Sequence, residues 1–194
     1  AGADLAALCN EAAFEAARAG DSAIDLDHFR RALLRLSAGP ERRSHVMSDE
    51  ERRLVAYHEM GHALVGHLSP SCDQVDRVTV IPQGGALGVT ISLPLEDRFL
   101  VTRTECTERL AMMLAGRAAE ELVFGECTSG AADDLERASR LARSMAGQLA
   151  MAVPGTRESL LVGIPNDHSD HQVDEVERAA QELLGQAFLG ATRM

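Results

Sequence analysis

Apolar residues recur at helical spacing along most of this chain, and the breaks in that rhythm mark its joints. Leu5, Leu8, Cys9, Ala12 and Ala16 share one face of a first helix. Gly20-Asp21-Ser22 ends it, and a second begins after Asp25, whose carboxylate can cap exposed amides, to run through Phe29, Ala32, Leu33 and Leu36. Ala38-Gly39-Pro40-Glu41-Arg42-Arg43-Ser44-His45 mixes Gly, Pro and charge and reads as a linker. Ser48 and Glu51 stand at capping-box spacing, which opens a long helix to about Leu68, closed by Pro70. From Val75 to Leu93 the pattern changes: β-branched residues in Val78-Thr79-Val80-Ile81 and Val89-Thr90-Ile91 flank Pro82-Gln83-Gly84-Gly85, which predicts a β-hairpin. Thr102 with Glu105 repeats the capping pattern and starts a helix to about Phe124, ended by Gly125. A further helix is expected from near Ala132 through Leu135, Leu141, Met145 and Leu149, stopping before Pro154. Thr156 to His171 is turn-rich, and Val173 to about Phe188 carries a last helical pattern. The expected fold class is mainly α with one small β-hairpin, and there is no internal repeat.

Composition narrows the function classes. With 45% apolar and 25% charged residues over 194 positions, the chain has the balance of a soluble globular protein. No apolar run reaches the roughly 18 residues that a membrane helix needs. Thirty acids against 19 bases leave a net charge of −11, a field that repels phosphate backbones, so nucleic acid is not an expected partner. Every one of the 19 bases is Arg. Without Lys the chain can host neither a Schiff base nor the phosphate loop of nucleoside triphosphatases, and it does not hydrolyse ATP by itself. Cys9, Cys72, Cys106 and Cys127 are far apart and form no C-x-x-C pair, which reads as buried thiols in a reducing compartment.

The chemistry concentrates at His58-Glu59-Met60-Gly61-His62, which fits H-E-x-x-H on the helix opened by Ser48. At about 100° per residue, His58 and His62 leave the same face one turn apart and can grip one zinc ion. Glu59 points about 100° aside, where it can take a proton from an attacking water without itself becoming a ligand. The competing reading is a helix whose two His simply face a core alongside Leu54, Tyr57, Gly61 and Val65. A catalytic zinc site normally has three protein ligands, so a third is required. Asp134 shares a helical face with Ala138, Leu141 and Met145, and an inward carboxylate there needs a cation to offset its burial. Asp133 lies over Arg137 and Arg140 and reads as one half of a solvated ion pair. Glu120 and Glu121 compete for the third-ligand role but, with Arg117 nearby, rank as residues that support a ligand. His67 faces about 140° away from His62, and His168 with His171 reads as solvated loop.

Several strings taken together resemble the C-terminal half of the FtsH family of membrane-anchored, ATP-dependent zinc proteases. They are Gly2-Ala3-Asp4-Leu5, Ala38-Gly39-Pro40-Glu41-Arg42, Tyr57-His58-Glu59-Met60-Gly61-His62-Ala63, Ile81-Pro82-Gln83-Gly84-Gly85-Ala86-Leu87-Gly88, Leu114-Ala115-Gly116-Arg117-Ala118-Ala119-Glu120-Glu121 and Ser129-Gly130-Ala131-Ala132-Asp133-Asp134-Leu135. The resemblance covers about Ala1 to Leu149. It implies that residues 1–38 are the last helices of an AAA+ lid, 39–47 a linker, and 48–194 a C-terminally truncated zinc metallopeptidase domain. It also implies Zn2+ held by His58, His62 and Asp134, with Glu59 catalytic. The family usually has Asn where this chain has Asp133.

What else follows is an expectation about a longer protein. Helical character already at Ala1 suggests chain upstream, which would carry the ATP site and the membrane helices and would assemble as a homo-hexamer. Its place would be the cytoplasmic face of the bacterial inner membrane, the present fragment itself being soluble. The substrate would be an unfolded or membrane polypeptide, lying along the hairpin edge near Gly84, Gly85 and Ala86, although a glycine-rich tip can equally be a plain turn. The alternatives are a catalytically silent assembly or adaptor module with a structural metal, and a free-standing soluble metallopeptidase.

Overall fold

Local capping signals fix the helix ends in the computed structural model, which describes residues 1–41, 47–93, 99–151 and 170–194, with side chains described from 173 in the last stretch. Helix α1 (Gly2–Ala19) ends on Gly20 in the left-handed conformation at φ 78°. Helix α2 (Leu26–Ala38) starts on Asp25, whose Oδ1 accepts from the His28 amide at 3.0 Å. Such a cap stabilises a helix by about 0.5–2 kcal/mol. Ala12, Ala16 and Ala32 are buried, so small side chains let the two helices approach, and Arg35 reaches Glu11 at 2.7 Å. The predicted apolar stripes are only partly covered: Leu5, Cys9, Leu33 and Leu36 are exposed.

Helix α3 (Asp49–Leu68) opens with the full reciprocal box, the Ser48 Oγ accepting from the Glu51 amide at 3.1 Å and Glu51 accepting from the Ser48 amide at 2.8 Å. Helix α4 (Arg103–Phe124) is capped by Thr102, which accepts from the Glu105 amide at 3.2 Å, and closes on left-handed Gly125. Cys106, Leu110, Ala111, Leu114, Ala115 and Ala118 form its buried face, the centre of the core. Each leucine buried there contributes about 1.5–3 kcal/mol. Helix α5 (Ala132–Arg143), entered through a 3-10 turn at Ser129–Ala131, stops short of the predicted Leu149. Residues Ser144–Gln148 widen into a π turn, in which the Leu149 amide donates to Ser144 O at 2.9 Å. That extra residue per turn seats Met145 and Ala146 in the core. Helix α6 (Asp170–Arg193) covers α4 with Ala180, Leu183, Ala187 and Ala191. It is longer at both ends than the sequence pattern indicates.

The hairpin consists of β1 (Gln74–Thr79) and β2 (Val89–Leu93), antiparallel, with Val78 opposite Thr90 and a bulge between Val75 and Arg77. Val80 and Ile81 fall outside the strand because residues 80–88 form a structured loop with a two-residue turn, Gly84-Gly85, at its tip. Gln83 and Ala86 exchange both backbone hydrogen bonds, at 3.0 and 2.8 Å. The start of the expected linker is not free: Glu41 forms a bridge with Gln83, and the Gly84 amide donates to Pro40 O at 3.0 Å. Residues 42–46 of that linker, and nearly all of the turn-rich segment with His168, lie outside the described residues. Of the four free cysteines only Cys106 is buried, which corrects the expectation of buried thiols; Cys72 and Cys127 are half-buried and Cys9 is exposed. Among the described residues no helix is long and apolar enough to cross a membrane.

Candidate metal centre

The centre forms where α3, α4 and the start of α5 meet. His58 and His62 sit one turn apart on α3, and Asp134 comes from the first turn of α5. The His58 and His62 Nε2 atoms are 3.1 Å apart, and Asp134 Oδ2 lies 3.3 Å from the first and 3.1 Å from the second. Both imidazoles are buried and Asp134 is half-buried.

The opposite ring nitrogens decide what the converging atoms can do. His58 Nδ1 lies 2.6 Å from Glu120 Oε1, and His62 Nδ1 lies 2.7 Å from the Met112 carbonyl. Both partners can only accept, so each ring donates through Nδ1 and turns a lone pair outward at Nε2. Two nitrogen lone pairs and a carboxylate oxygen then face one another with no donor between them. Such a group is suited to hold a cation. Tetrahedral zinc with bonds of 2.0–2.1 Å separates its ligands by about 3.3 Å, close to the 3.1, 3.1 and 3.3 Å found here. His58, His62 and Asp134 are the group of potential metal ligands that the described residues bring together.

The carboxylates around His58 favour its charged form. Burial pushes His58 toward the neutral form, but the carboxylates of Asp134 and Glu120 outweigh it and raise its pKa above the ordinary value of 6.5. For Asp134 burial acts to raise the pKa, and hydrogen bonds with His58 and His62 overcome it, holding the carboxyl well below the usual range.

Glu120 is fully buried and uses both oxygens: Oε1 accepts from His58, and Oε2 accepts from the Thr128 amide at 2.7 Å. It thereby ties the loop ahead of α5 to the ring that it orients. Glu121 is not part of the centre; it is exposed, with Cys127 Sγ 3.7 Å from its carboxylate. Asp133 is exposed as expected, but its ion pair with Arg137 is not formed; on that face Arg140 pairs with Glu136 at 3.5 Å. His67 is exposed and apart from the centre. Gly84, Gly85 and Ala86 lie in the loop between the strands; the amide of Gly84 donates to Pro40 O, and Gly85 and Ala86 are exposed.

Three contributors escaped the sequence reading. The carbonyl of Met112 carries no side-chain signature at all. Gly116 on α4 faces the two rings so closely that a Cβ there would lie 2.5 Å from His58 Nε2 and 2.6 Å from His62 Nε2. A glycine inside a helix costs about 1 kcal/mol relative to Ala, and that cost was the available signal for a close approach. The third is Thr90 on β2, whose Oγ1 lies 2.7 Å from Oε2 of Glu59, itself buried one residue beyond His58.

A paired His motif on one helix, a carboxylate from a second and a buried Glu beside them define a metal-dependent hydrolase centre. Residues 45–193 match peptidase family M41, and the chain belongs to that family. It is 54% identical over 152 residues to the ATP-dependent zinc metalloprotease FtsH of Kosmotoga olearia, covering 78% of this chain and 24% of that protein. It is 50% identical over 198 residues to the protein of that name from Rubrobacter xylanophilus, covering 96% and 30%, and 45% identical over 208 residues to that from Methylibium petroleiphilum, covering 100% and 34%. The chain therefore spans about a quarter to a third of the length of these relatives.

Proposed function

We propose that this chain is a zinc-dependent endopeptidase domain in which His58, His62 and Asp134 hold the metal and Glu59 is the general base. The observation that carries this reading is the convergence of three acceptor atoms within 3.3 Å of one another beside a buried carboxylate. A zinc ion held there supplies Lewis-acid chemistry, polarising a carbonyl and acidifying water. Glu59 takes the proton of the attacking water and delivers it to the leaving amine. Glu120 and the Met112 carbonyl keep each ring in the tautomer whose Nε2 can bind metal. An intact Glu59 is superfluous to a purely structural metal, which disfavours a silent adaptor.

The same reading extends to the longer protein. Its substrates are polypeptides in extended form, with the exposed Gly85 backbone and the Ala86 side chain on the hairpin loop as contacts. Residues 1–38 end an ATPase lid, 39–47 link it to the peptidase at 48–194, and six copies work together at the cytoplasmic face of a bacterial inner membrane. Support comes from the relatives' shared designation as ATP-dependent zinc metalloproteases and from the fraction of their length that this chain spans. The test is Glu59→Gln: zinc stays stoichiometric by elemental analysis while casein hydrolysis is lost. Unchanged turnover would refute the assignment of Glu59, and a wild-type chain that binds zinc but cleaves nothing would favour the adaptor.

A further inference from the structure

Glu59 is gripped from the hairpin on two sides. Thr90 Oγ1 lies 2.7 Å from Glu59 Oε2 and 3.1 Å from the Glu59 carbonyl oxygen. A hydroxyl has one hydrogen, and the shorter contact to a charged acceptor takes it. On the other side is Gly88, where a Cβ would stand 2.7 Å from Glu59 Cγ and from Val55 Cγ1, and 2.8 Å from Glu59 Oε1. The carboxylate therefore fits only because residue 88 has no side chain.

We infer that Thr90 is a positioning residue for the proton-carrying carboxylate, with Gly88 as the space that admits it. This inference rests on the proposed role of Glu59. The strand register puts Thr90 opposite Val78, and a β-branched side chain has few χ1 choices, so the hydroxyl is delivered to one place. Thr90 occupies Oε2, which leaves Oε1, on the Gly88 side, as the oxygen that accepts the proton. A neutral donor suits this role, because it fixes one oxygen without placing a second full charge against a group that must gain and lose a proton. The hairpin thus aims the base.

The test compares Thr90→Val, which keeps the shape and removes the donor, with Thr90→Ser, which keeps the donor. Turnover of a quenched fluorescent peptide is measured on this chain beside wild type and Glu59→Gln, together with zinc content and helicity. The expected result for Thr90→Val is a fall in kcat of about 10- to 100-fold, part of the 10²–10⁴ that a positioned base provides. KM should stay within about twofold, zinc should stay stoichiometric, and Thr90→Ser should recover most of the loss. Gly88→Ala, which crowds the carboxylate from the other side, should also lose kcat and keep zinc. Full kcat in Thr90→Val, or a Ser variant as impaired as Val, would overturn the inference. Loss of zinc or helicity in all three hairpin variants would equally overturn it, by showing a structural role. Should Glu59→Gln itself remain active, the assignment of the base falls; should only Thr90→Val remain active, that assignment stands and the positioning role falls.

Discussion

Replacing Gly116 by Ala tests the metal centre at its narrowest point. The new methyl carbon would stand 2.5 Å from His58 Cε1 and Nε2 and 2.6 Å from His62 Nε2. Ordinary contacts between such atoms are about 3.5–4.0 Å, so each is short by about 1 Å. Neither ring can yield easily, because Glu120 holds His58 at 2.6 Å and the Met112 carbonyl holds His62 at 2.7 Å. The overlap is thus relieved by turning one imidazole out of line or by lifting α4 away from α3. Overpacking of this kind costs about 1–3 kcal/mol of stability, which leaves a folded chain. Its effect on metal should be larger in proportion. Disturbing the groups that merely orient ligands weakens binding about 10- to 100-fold, and a methyl group against both Nε2 atoms should reach at least the upper figure. Competition titration against a chelator of known affinity, with circular dichroism as a check on folding, measures both quantities. A Gly116→Ala variant that binds one zinc with undiminished affinity would show that the rings do not face the metal across Gly116.

Other consequences can be checked separately. Asp134→Asn should weaken zinc retention strongly while Asp133→Asn leaves it nearly intact, and the reverse order by elemental analysis would overturn the placement of the third ligand. The raised pKa of His58 stabilises the metal-free chain below about 6.5, and that contribution fades as pH rises through the raised value. The lowered pKa of Asp134 contributes above 3.8 and is flat over the neutral range. Zinc needs the neutral ring, so its affinity rises over the interval in which the free chain loses stability; calorimetry from about pH 6 to 8, with and without chelator, should show opposite trends, and parallel ones would contradict the tautomer argument. Gly61→Ala would place a Cβ 2.5 Å from the Ala115 carbonyl and should lower stability by about 1–3 kcal/mol through the α3–α4 contact, measurable by urea unfolding.

The parts of the fold that were legible in the sequence are those dictated locally. Ser48 with Glu51, Asp25, Thr102, Gly20 and Gly125 each announce a helix end through a bond within four residues, and each end is where they place it. The His58–His62 spacing and the inward face of Asp134 are equally local, since they follow from about 3.6 residues per turn. Contributions made across the chain left weaker traces. Nothing about Met112 marks its carbonyl as an acceptor for His62, and Thr90 reads as an ordinary strand residue until β2 is laid beside α3. The π turn at Ser144–Gln148 was also illegible: the helical pattern runs through it without a break, and the wider turn accompanies the burial of Met145 in the core cluster and of Ala146.

The backbone bond from Gly84 to Pro40, with the bridge from Gln83 to Glu41 beside it, has a mechanical meaning. It staples the exit of α2 to the tip of the hairpin whose far side carries Thr90. While that staple holds, displacing the end of α2 also displaces the loop that leads into the strand carrying Thr90.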